Sequence, residues 1–240
     1  MADFDVFKSV LKENQTLVGV HLFGHGRSAF PEDRSLKDSL RKAELIQMTE
    51  LLLQEFSATN FSLLAYSLGG KIALMLTELY PERIKNLLLI APDGVKINKL
   101  YKFSSGTSLG RAIYRFTLNN PKPLFFIADS LKWLRLLTPK LHKFTHYHME
   151  TYEKRKMVGD VWMVYRFMTP NIETIQHNIN NHSITTVLVY GEYDRVIQKW
   201  QGEKLNAGLD DDALHILDAG HLLLTSETID YLATNELWMD

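Results

Sequence analysis

The strongest constraint on the fold is the segment Phe61–Gly70, which reads FSLLAYSLGG and is followed by an amphipathic helical run. A hydrophobic strand, a turn of small residues and a helix are predicted here, with Ser67 at the apex of the turn. Such a turn lifts a serine oxygen above a sheet and directs a helix N-terminus at it. Ala65 and Gly69 flank the serine, and their small size lets the strand and helix backbones approach each other closely.

Two later segments carry candidate partners for this serine. Ile184–Ile197 is a buried β-branched run that ends in a glycine turn carrying Asp194, and Ala213–Leu224 is a short strand followed by His221. Open α/β sheets place their sites beyond the carboxyl ends of the strands, where all three side chains are expected. The sequence therefore predicts a site built from Ser67, Asp194 and His221.

These residue types fit nucleophilic catalysis. A serine hydroxyl is a weak nucleophile until a base removes its proton, and a histidine suits that role near neutral pH. His221 is the predicted base, and Asp194 is predicted to hold its tautomer and stabilise the imidazolium. Asp93 ends the preceding predicted strand and is the alternative acid.

Four segments together resemble the α/β-hydrolase superfamily. They are the elbow AYSLGGKIAL, the acid loop VLVYGEYDRVI, the histidine loop DAGHLLL and the turn GHGRS at Gly24–Ser28. They occur in the family's order and at its usual separations. The resemblance implies an α/β fold with a mostly parallel sheet, helices on both faces and an inserted helical cap.

The resemblance also divides the chain. Residues 1–94 and 184–240 are expected to form the α/β-hydrolase core, and residues 95–183 the cap, which excludes water and supplies an apolar pocket. Within the cap, helices are predicted around Leu109–Leu118, Phe125–Leu137 and Tyr147–Phe167.

Further core elements follow from periodicity. Phe4 and Phe7 belong to a predicted short helix, and Thr16–His21 is a predicted strand. Ser35 resembles a capping residue that opens the next helix. Lys85–Gly94 is predicted as a buried strand and Thr225–Leu237 as a terminal helix.

The family places a strand and a His-Gly loop immediately before its first helix, and that loop supplies one oxyanion donor. This chain begins at the helix, so it is expected to be N-terminally truncated relative to the family, or else rearranged so that the flanking strands pair directly. The backbone N–H of Leu68 is the predicted oxyanion donor, and no second donor can be assigned.

Composition excludes several function classes. Hydrophobic residues make up 45% and charged residues 23% of the chain, and cysteine is absent, so disulfides and thiolate chemistry are excluded. His142, His146 and His148 are spaced like metal ligands, but few carboxylates match them in the sequence. They are interpreted as solvated cap residues, and no metal and no cofactor are expected.

Charge is unevenly distributed around a net value of −1. Lysine and arginine outnumber acidic residues in the predicted cap, whereas the flanks are acidic, so an anionic substrate, or one presented by an acidic carrier, is expected. The basic residues are too dispersed for nucleic-acid binding. The N-terminus lacks a signal-peptide pattern and no apolar run could span a bilayer, so a cytoplasmic protein is expected.

The resulting hypothesis is a serine hydrolase that cleaves a small carboxylic ester or acyl compound, with Tyr66 next to the serine as a substrate-binding residue. The alternative is a ligand-binding or signalling protein that keeps the hydrolase fold with slow or no turnover. An acceptor other than water, the chain length of the substrate and the oligomeric state are left open by the sequence.

Overall fold

The structure is a computed structural model that describes residues 2–31, 38–136 and 139–237. The chain divides into two compact units. The first comprises the described residues of Met1–His21, Arg41–Ile97 and Met168–Asp240, and the second those of Leu22–Leu40 and Asn98–Phe167.

The first unit contains a four-stranded sheet of order β1-β2-β3-β4. Its strands are β1 Phe61–Tyr66, β2 Ile84–Ile90, β3 Thr185–Gly191 and β4 Leu214–Leu217. All neighbouring pairs are parallel. The carboxyl ends of all the strands therefore lie at one edge of the sheet, as predicted.

The central strands are covered on both faces. Leu87 and Leu88 in β2 are at most 1% exposed, and Leu188 and Val189 in β3 are fully buried. Because successive side chains of a strand point to opposite faces, burial of consecutive residues requires packing on both sides of the sheet. The near-continuous apolar runs in these strands are typical of a parallel sheet.

The helices surround this sheet or form the second unit. The α-helices, numbered along the chain, are α1 Lys42–Glu55, α2 Leu68–Leu79, α3 Lys99–Gly106, α4 Ser108–Asn119, α5 Lys122–Trp133, α6 Pro139–Met149, α7 Tyr152–Val164, α8 Ile172–Asn181, α9 Trp200–Asn206 and α10 Ser226–Thr234. Short 3₁₀ helices span Ala2–Val10 and Pro81–Arg83.

Helix α2 is the most deeply buried helix of the first unit, with every residue from Gly70 to Thr77 buried. It contacts β1, β2 and α8. The side-chain amide of Asn178 in α8 donates to the carbonyl of Thr77 at 3.1 Å, which ties the two helices together.

The predicted strand Thr16–His21 is wrong. These residues have no regular secondary structure, and Val18 and Val20 are 39% and 49% exposed. A strand is stabilised by its hydrogen-bonded neighbours, and none of the described residues pairs with this segment. The apolar pattern alone could not supply that pairing. The predicted capping residue Ser35 lies outside the described residues.

Other predicted core elements are confirmed. The strand predicted over Lys85–Gly94 is β2, and the predicted terminal helix is α10. The N-terminal segment forms the 3₁₀ helix, in which Phe7 is fully buried.

The described residues of Asn98–Phe167 in the second unit are mostly helical, as the weak strand pattern of this segment predicts. The helix expected over Leu109–Leu118 is confirmed as α4, and the other expected stretches correspond to α5, which ends at Trp133, and to the end of α6 together with α7. Helices α3 and α6 were not predicted separately. Thr107 and Thr151 cap the starts of α4 and α7, since their hydroxyls accept from backbone N–H groups of the next turn.

The segment Leu22–Leu40 belongs to this helical unit. The backbone N–H of Leu40 donates to the carbonyl of Val164 at 2.8 Å, and the guanidinium of Arg166 donates to the carbonyl of Asp38 at 3.0 Å. These contacts attach the segment to the end of α7.

No helix within the described ranges combines the length and the apolarity needed to cross a bilayer.

The start of α2 approaches the turn after β2 unusually closely. A Cβ atom built on Gly70 would lie 2.3 Å from Cβ and 2.4 Å from Cα of Pro92. A Cβ atom on Gly69 would lie 3.7 Å from Cβ of Ala65, which is ordinary van der Waals contact. Of these two glycines, Gly70 is therefore the one that the packing requires.

We predict that substitution by alanine is tolerated at Gly69 but destabilises the protein at Gly70. Gly70→Ala should lower the free energy of unfolding by about 1–3 kcal/mol, because the added methyl group forces the helix away from Pro92. Gly69→Ala is the matched control and should leave stability unchanged or slightly raised, since alanine favours a helix over glycine. Urea unfolding of the two variants measures both effects, and equal destabilisation would contradict the packing argument.

Candidate active site

Ser67 lies at the sharp turn between β1 and α2. Its backbone adopts φ 51° and ψ −117°, a conformation that residues other than glycine rarely adopt and that costs about 1–3 kcal/mol. The turn is fixed by hydrogen bonds, because the Ser67 N–H donates to the carbonyl of Ile90 and its own carbonyl accepts from the N–H groups of Gly70 and Asp93. The predicted elbow geometry is therefore present.

The structure brings the three predicted side chains together. Ser67 Oγ lies 3.2 Å from Nε2 of His221, and Nδ1 of the same imidazole lies 2.7 Å from Oδ2 of Asp194. In the neutral tautomer with Nδ1 protonated, the ring donates to Asp194 and presents the lone pair of Nε2 to the serine. The three groups thus form one hydrogen-bonded line through the imidazole.

Asp194 is the most enclosed member of this line. Its side chain is fully buried, whereas that of His221 is 22% exposed. Oδ1 accepts from the backbone N–H groups of Val196 and Ile197 at 2.7 and 2.9 Å. Burial alone would raise the pKa of Asp194, but the hydrogen bonds from His221 and from these N–H groups outweigh it and hold the pKa below its ordinary value.

The alternative acid, Asp93, has a different partner. Its Oδ2 lies 2.7 Å from Nζ of Lys71, whose side chain is 3% exposed, and its Oδ1 accepts from the backbone N–H of Gly94. The carboxylate that reaches the imidazole is Asp194. In the sequence both residues follow the end of a buried strand, and the resemblance of the loop GEYD to the family favours Asp194.

Tyr66 contacts the loop that carries the histidine. Its hydroxyl donates to the carbonyl of His221 at 2.8 Å, and the two rings lie 5.3 Å apart between centroids. The residue before the serine therefore helps to hold the backbone and the ring of His221 in place. Its assignment as a substrate-binding residue stays a prediction.

Gly191 is a site residue that sequence reasoning missed. It ends β3, and a Cβ atom built there would lie 2.4 Å from the carbonyl oxygen of Gly220 and 2.6 Å from that of Ala219. Any side chain would push the loop of His221 away from the loop of Asp194. The only sequence signal was a glycine at the end of a buried strand, which is also typical of an ordinary turn.

The N-terminus of α2 provides one candidate oxyanion donor. Leu68 is the first residue of the helix, and the N–H groups of a first helical turn have no intrahelical acceptor. The helix dipole adds a partial positive charge at this end. An anion that forms beside Ser67 would therefore be stabilised by Leu68.

Metal ligands are not part of this arrangement. Within the described portion of the chain, the residues whose ligand atoms cluster closely enough to hold a metal ion are Asp129, His142 and His146, which belong to the second unit.

Curated relatives match parts of the chain. It is 35% identical over 132 residues to a protein of Arabidopsis thaliana named probable lysophospholipase BODYGUARD 2, a match that covers 54% of this chain and 26% of that protein. It is 24% identical over 186 residues to Lipase 3 of Moraxella sp. (strain TA144), covering 78% of this chain and 56% of the lipase. The chain thus spans from about a quarter to just over half of these relatives.

Solved structures share the fold. An α/β-hydrolase enzyme named MGS-M2, from a deep-sea metagenome library of the Medee basin, superposes with a TM-score of 0.62 at 15% identity. The match covers 97% of this chain and 82% of that one.

The family model described as the alpha/beta hydrolase fold matches residues 3–228, which is most of the chain. The match includes β1 to β4 and the residues of the hydrogen-bonded line at their carboxyl ends. The chain therefore belongs to the α/β-hydrolase fold family.

Proposed function

We propose that this chain is a serine hydrolase that cleaves a small-molecule carboxylic ester through an acyl-enzyme, with Ser67, His221 and Asp194 as its catalytic triad. The observation that carries the proposal is the hydrogen-bonded line from Ser67 Oγ through the imidazole of His221 to the buried carboxylate of Asp194. The names of the relatives, a lipase and a probable lysophospholipase, support an ester as the substrate class.

In the acylation step, Ser67 Oγ attacks the ester carbonyl and its proton passes to Nε2 of His221. Asp194 stabilises the imidazolium through the hydrogen bond from Nδ1. When the tetrahedral intermediate collapses, the carbon–oxygen bond to the alcohol breaks, and the departing oxygen takes the proton from Nε2. The acyl group remains on Ser67.

Water completes the reaction. His221 removes a proton from a water molecule, which attacks the acyl carbonyl, and collapse of the second intermediate returns that proton to Ser67 Oγ as the acid leaves. Leu68 N–H donates to the negatively charged oxygen of both intermediates in this scheme.

Residues 95–183 have the role of a cap in this proposal. The family resemblance supports this assignment. The excess of lysine and arginine over acidic residues in this segment supports a substrate that carries negative charge.

The first prediction of this proposal tests the nucleophile. A fluorophosphonate probe should label the wild-type chain at Ser67, and Ser67→Ala should abolish labelling and lower kcat for a p-nitrophenyl ester by on the order of 10⁴-fold or more. Ser62 in the exposed part of β1 offers a matched control, since Ser62→Ala should leave labelling intact.

Absence of labelling in a cooperatively folded wild-type chain would contradict the hydrolase proposal. That result would instead favour a protein that binds a ligand on a hydrolase fold without turnover.

The second prediction separates the two aspartates. Asp194→Asn should lower kcat by on the order of 10⁴-fold with little change in fold, because the imidazole loses the partner that sets its tautomer. Asp93→Asn should instead leave kcat near the wild-type value and lower the free energy of unfolding by about 1–3 kcal/mol, because the buried ammonium of Lys71 loses its carboxylate. Steady-state kinetics and urea unfolding measure the two effects, and the reverse pattern would make Asp93 the acid.

The third prediction concerns charge recognition. For an ester that carries a carboxylate, KM should rise as NaCl increases from about 0.01 to 0.5 M, because salt screens attraction between exposed charges. The matched control is a neutral ester of the same size, whose KM should change little. Equal salt dependence for both esters would contradict recognition of an anionic substrate by the basic segment.

A further inference from the structure

Two neighbouring helices of the second unit present three potential metal ligands to one another. Asp129 belongs to α5, and His142 and His146 belong to α6. Because the histidines are four residues apart in one helix, both imidazoles lie on the same side of α6. The ligand atoms of all three residues lie within 4.8 Å of one another.

The contacts among these side chains are short. Oδ1 of Asp129 lies 2.5 Å from Nε2 of His142 and 3.1 Å from Nε2 of His146. Two imidazoles therefore converge on a single carboxylate oxygen. The sequence could not show this, since the carboxylate comes from a different helix and its partners are set by the packing of α5 against α6.

Neighbouring rings hold the imidazoles in place. His146 stacks on Phe125 with 4.6 Å between centroids and an interplanar angle of 21°, and its other neighbour is His142 at 4.4 Å. Phe125 lies one helical turn before Asp129 in α5, so the same face that supplies the carboxylate also orients the ring. The imidazoles are therefore already oriented before a metal ion binds.

Exposure favours entry of an ion from solvent. The side chain of His142 is 15% exposed, that of His146 38% and that of Asp129 58%. Ligand atoms at a tetrahedral zinc ion lie about 3.4 Å apart, which is slightly farther than Oδ1 of Asp129 lies from the two imidazole nitrogens. Because the carboxylate is exposed, it can move by the fraction of an ångström that zinc binding requires.

The donor set selects among metals. Two imidazole nitrogens and one carboxylate oxygen are ligands that Zn²⁺ accepts in a tetrahedral site, with a fourth position left for water. Mg²⁺ and Ca²⁺ prefer all-oxygen ligands and do not match this set. We propose that Asp129, His142 and His146 form a Zn²⁺ site that links α5 to α6.

A Zn²⁺ ion between α5 and α6 would stabilise the position of α5. Ala128 is the buried residue of α5, while Phe126 and Trp133 of the same helix are 73% and 82% exposed. Part of the apolar surface of α5 therefore stays exposed, and coordination bonds to α6 would add a constraint on the position of this helix.

Zinc titration of the metal-free full chain tests the proposal. Isothermal titration calorimetry with ZnCl₂ on untagged protein, first dialysed against EDTA, should show one ion per chain, and Zn²⁺ should raise Tm. Co²⁺ in place of Zn²⁺ should give the visible absorption of a tetrahedral site. These readouts are independent of ester hydrolysis, so they succeed or fail separately from the proposed function.

Variants assign the ligands. Asp129→Asn, His142→Gln and His146→Gln should each weaken Zn²⁺ binding by more than the roughly 10–100-fold that loss of an outer-shell partner costs. His177→Gln is the matched control, because His177 is an exposed helical histidine of α8 with its own side-chain partner, Asn181. It should bind Zn²⁺ as the wild type does.

Two results would overturn the proposal. One is the absence of saturable Zn²⁺ binding by a chain whose circular dichroism shows intact helices. The other is unchanged Zn²⁺ affinity in the folded triple variant of Asp129, His142 and His146, which would place the bound ion elsewhere.

Discussion

The parallel hydrogen bonding of β1 to β4 is the constraint on which the site depends. Because every strand runs in the same direction, residues that are far apart in sequence emerge at one edge of the sheet. Tyr66 pairs with Ile90, so β1 and β2 end at the same height, and Gly191 pairs with Leu217, so β3 and β4 also end level with each other. The short distances from Ser67 to His221 and on to Asp194 follow from this register rather than from local sequence.

Much of this arrangement could be predicted because its signals are local. The apolar runs of β2 and β3 and the small residues around Ser67 can be read from short windows of sequence. The segment Thr16–His21 shows the limit of that reasoning, because an apolar alternation becomes a strand only when another strand pairs with it. The described residues supply no such neighbour, and Val18 and Val20 remain exposed.

The tertiary structure was needed to decide between residues of the same type that occupy similar positions in the sequence. Asp93 and Asp194 both follow buried strands, and the sequence could favour one only by resemblance. The buried ammonium of Lys71 engages Asp93, which leaves Asp194 to the imidazole. Asp129 is a similar case, since helix packing rather than spacing along the chain brings it to His142 and His146.

Gly191 has a consequence for how this edge of the sheet could change. Its Cα hydrogen faces the carbonyl groups of Ala219 and Gly220 at a separation that leaves no room for a larger group. The loop that carries Asp194 and the loop that carries His221 therefore pack against each other through backbone atoms, with no side chain between them at Gly191. Transplanting either loop alone from another hydrolase would break that fit, so the two behave as a single exchangeable module.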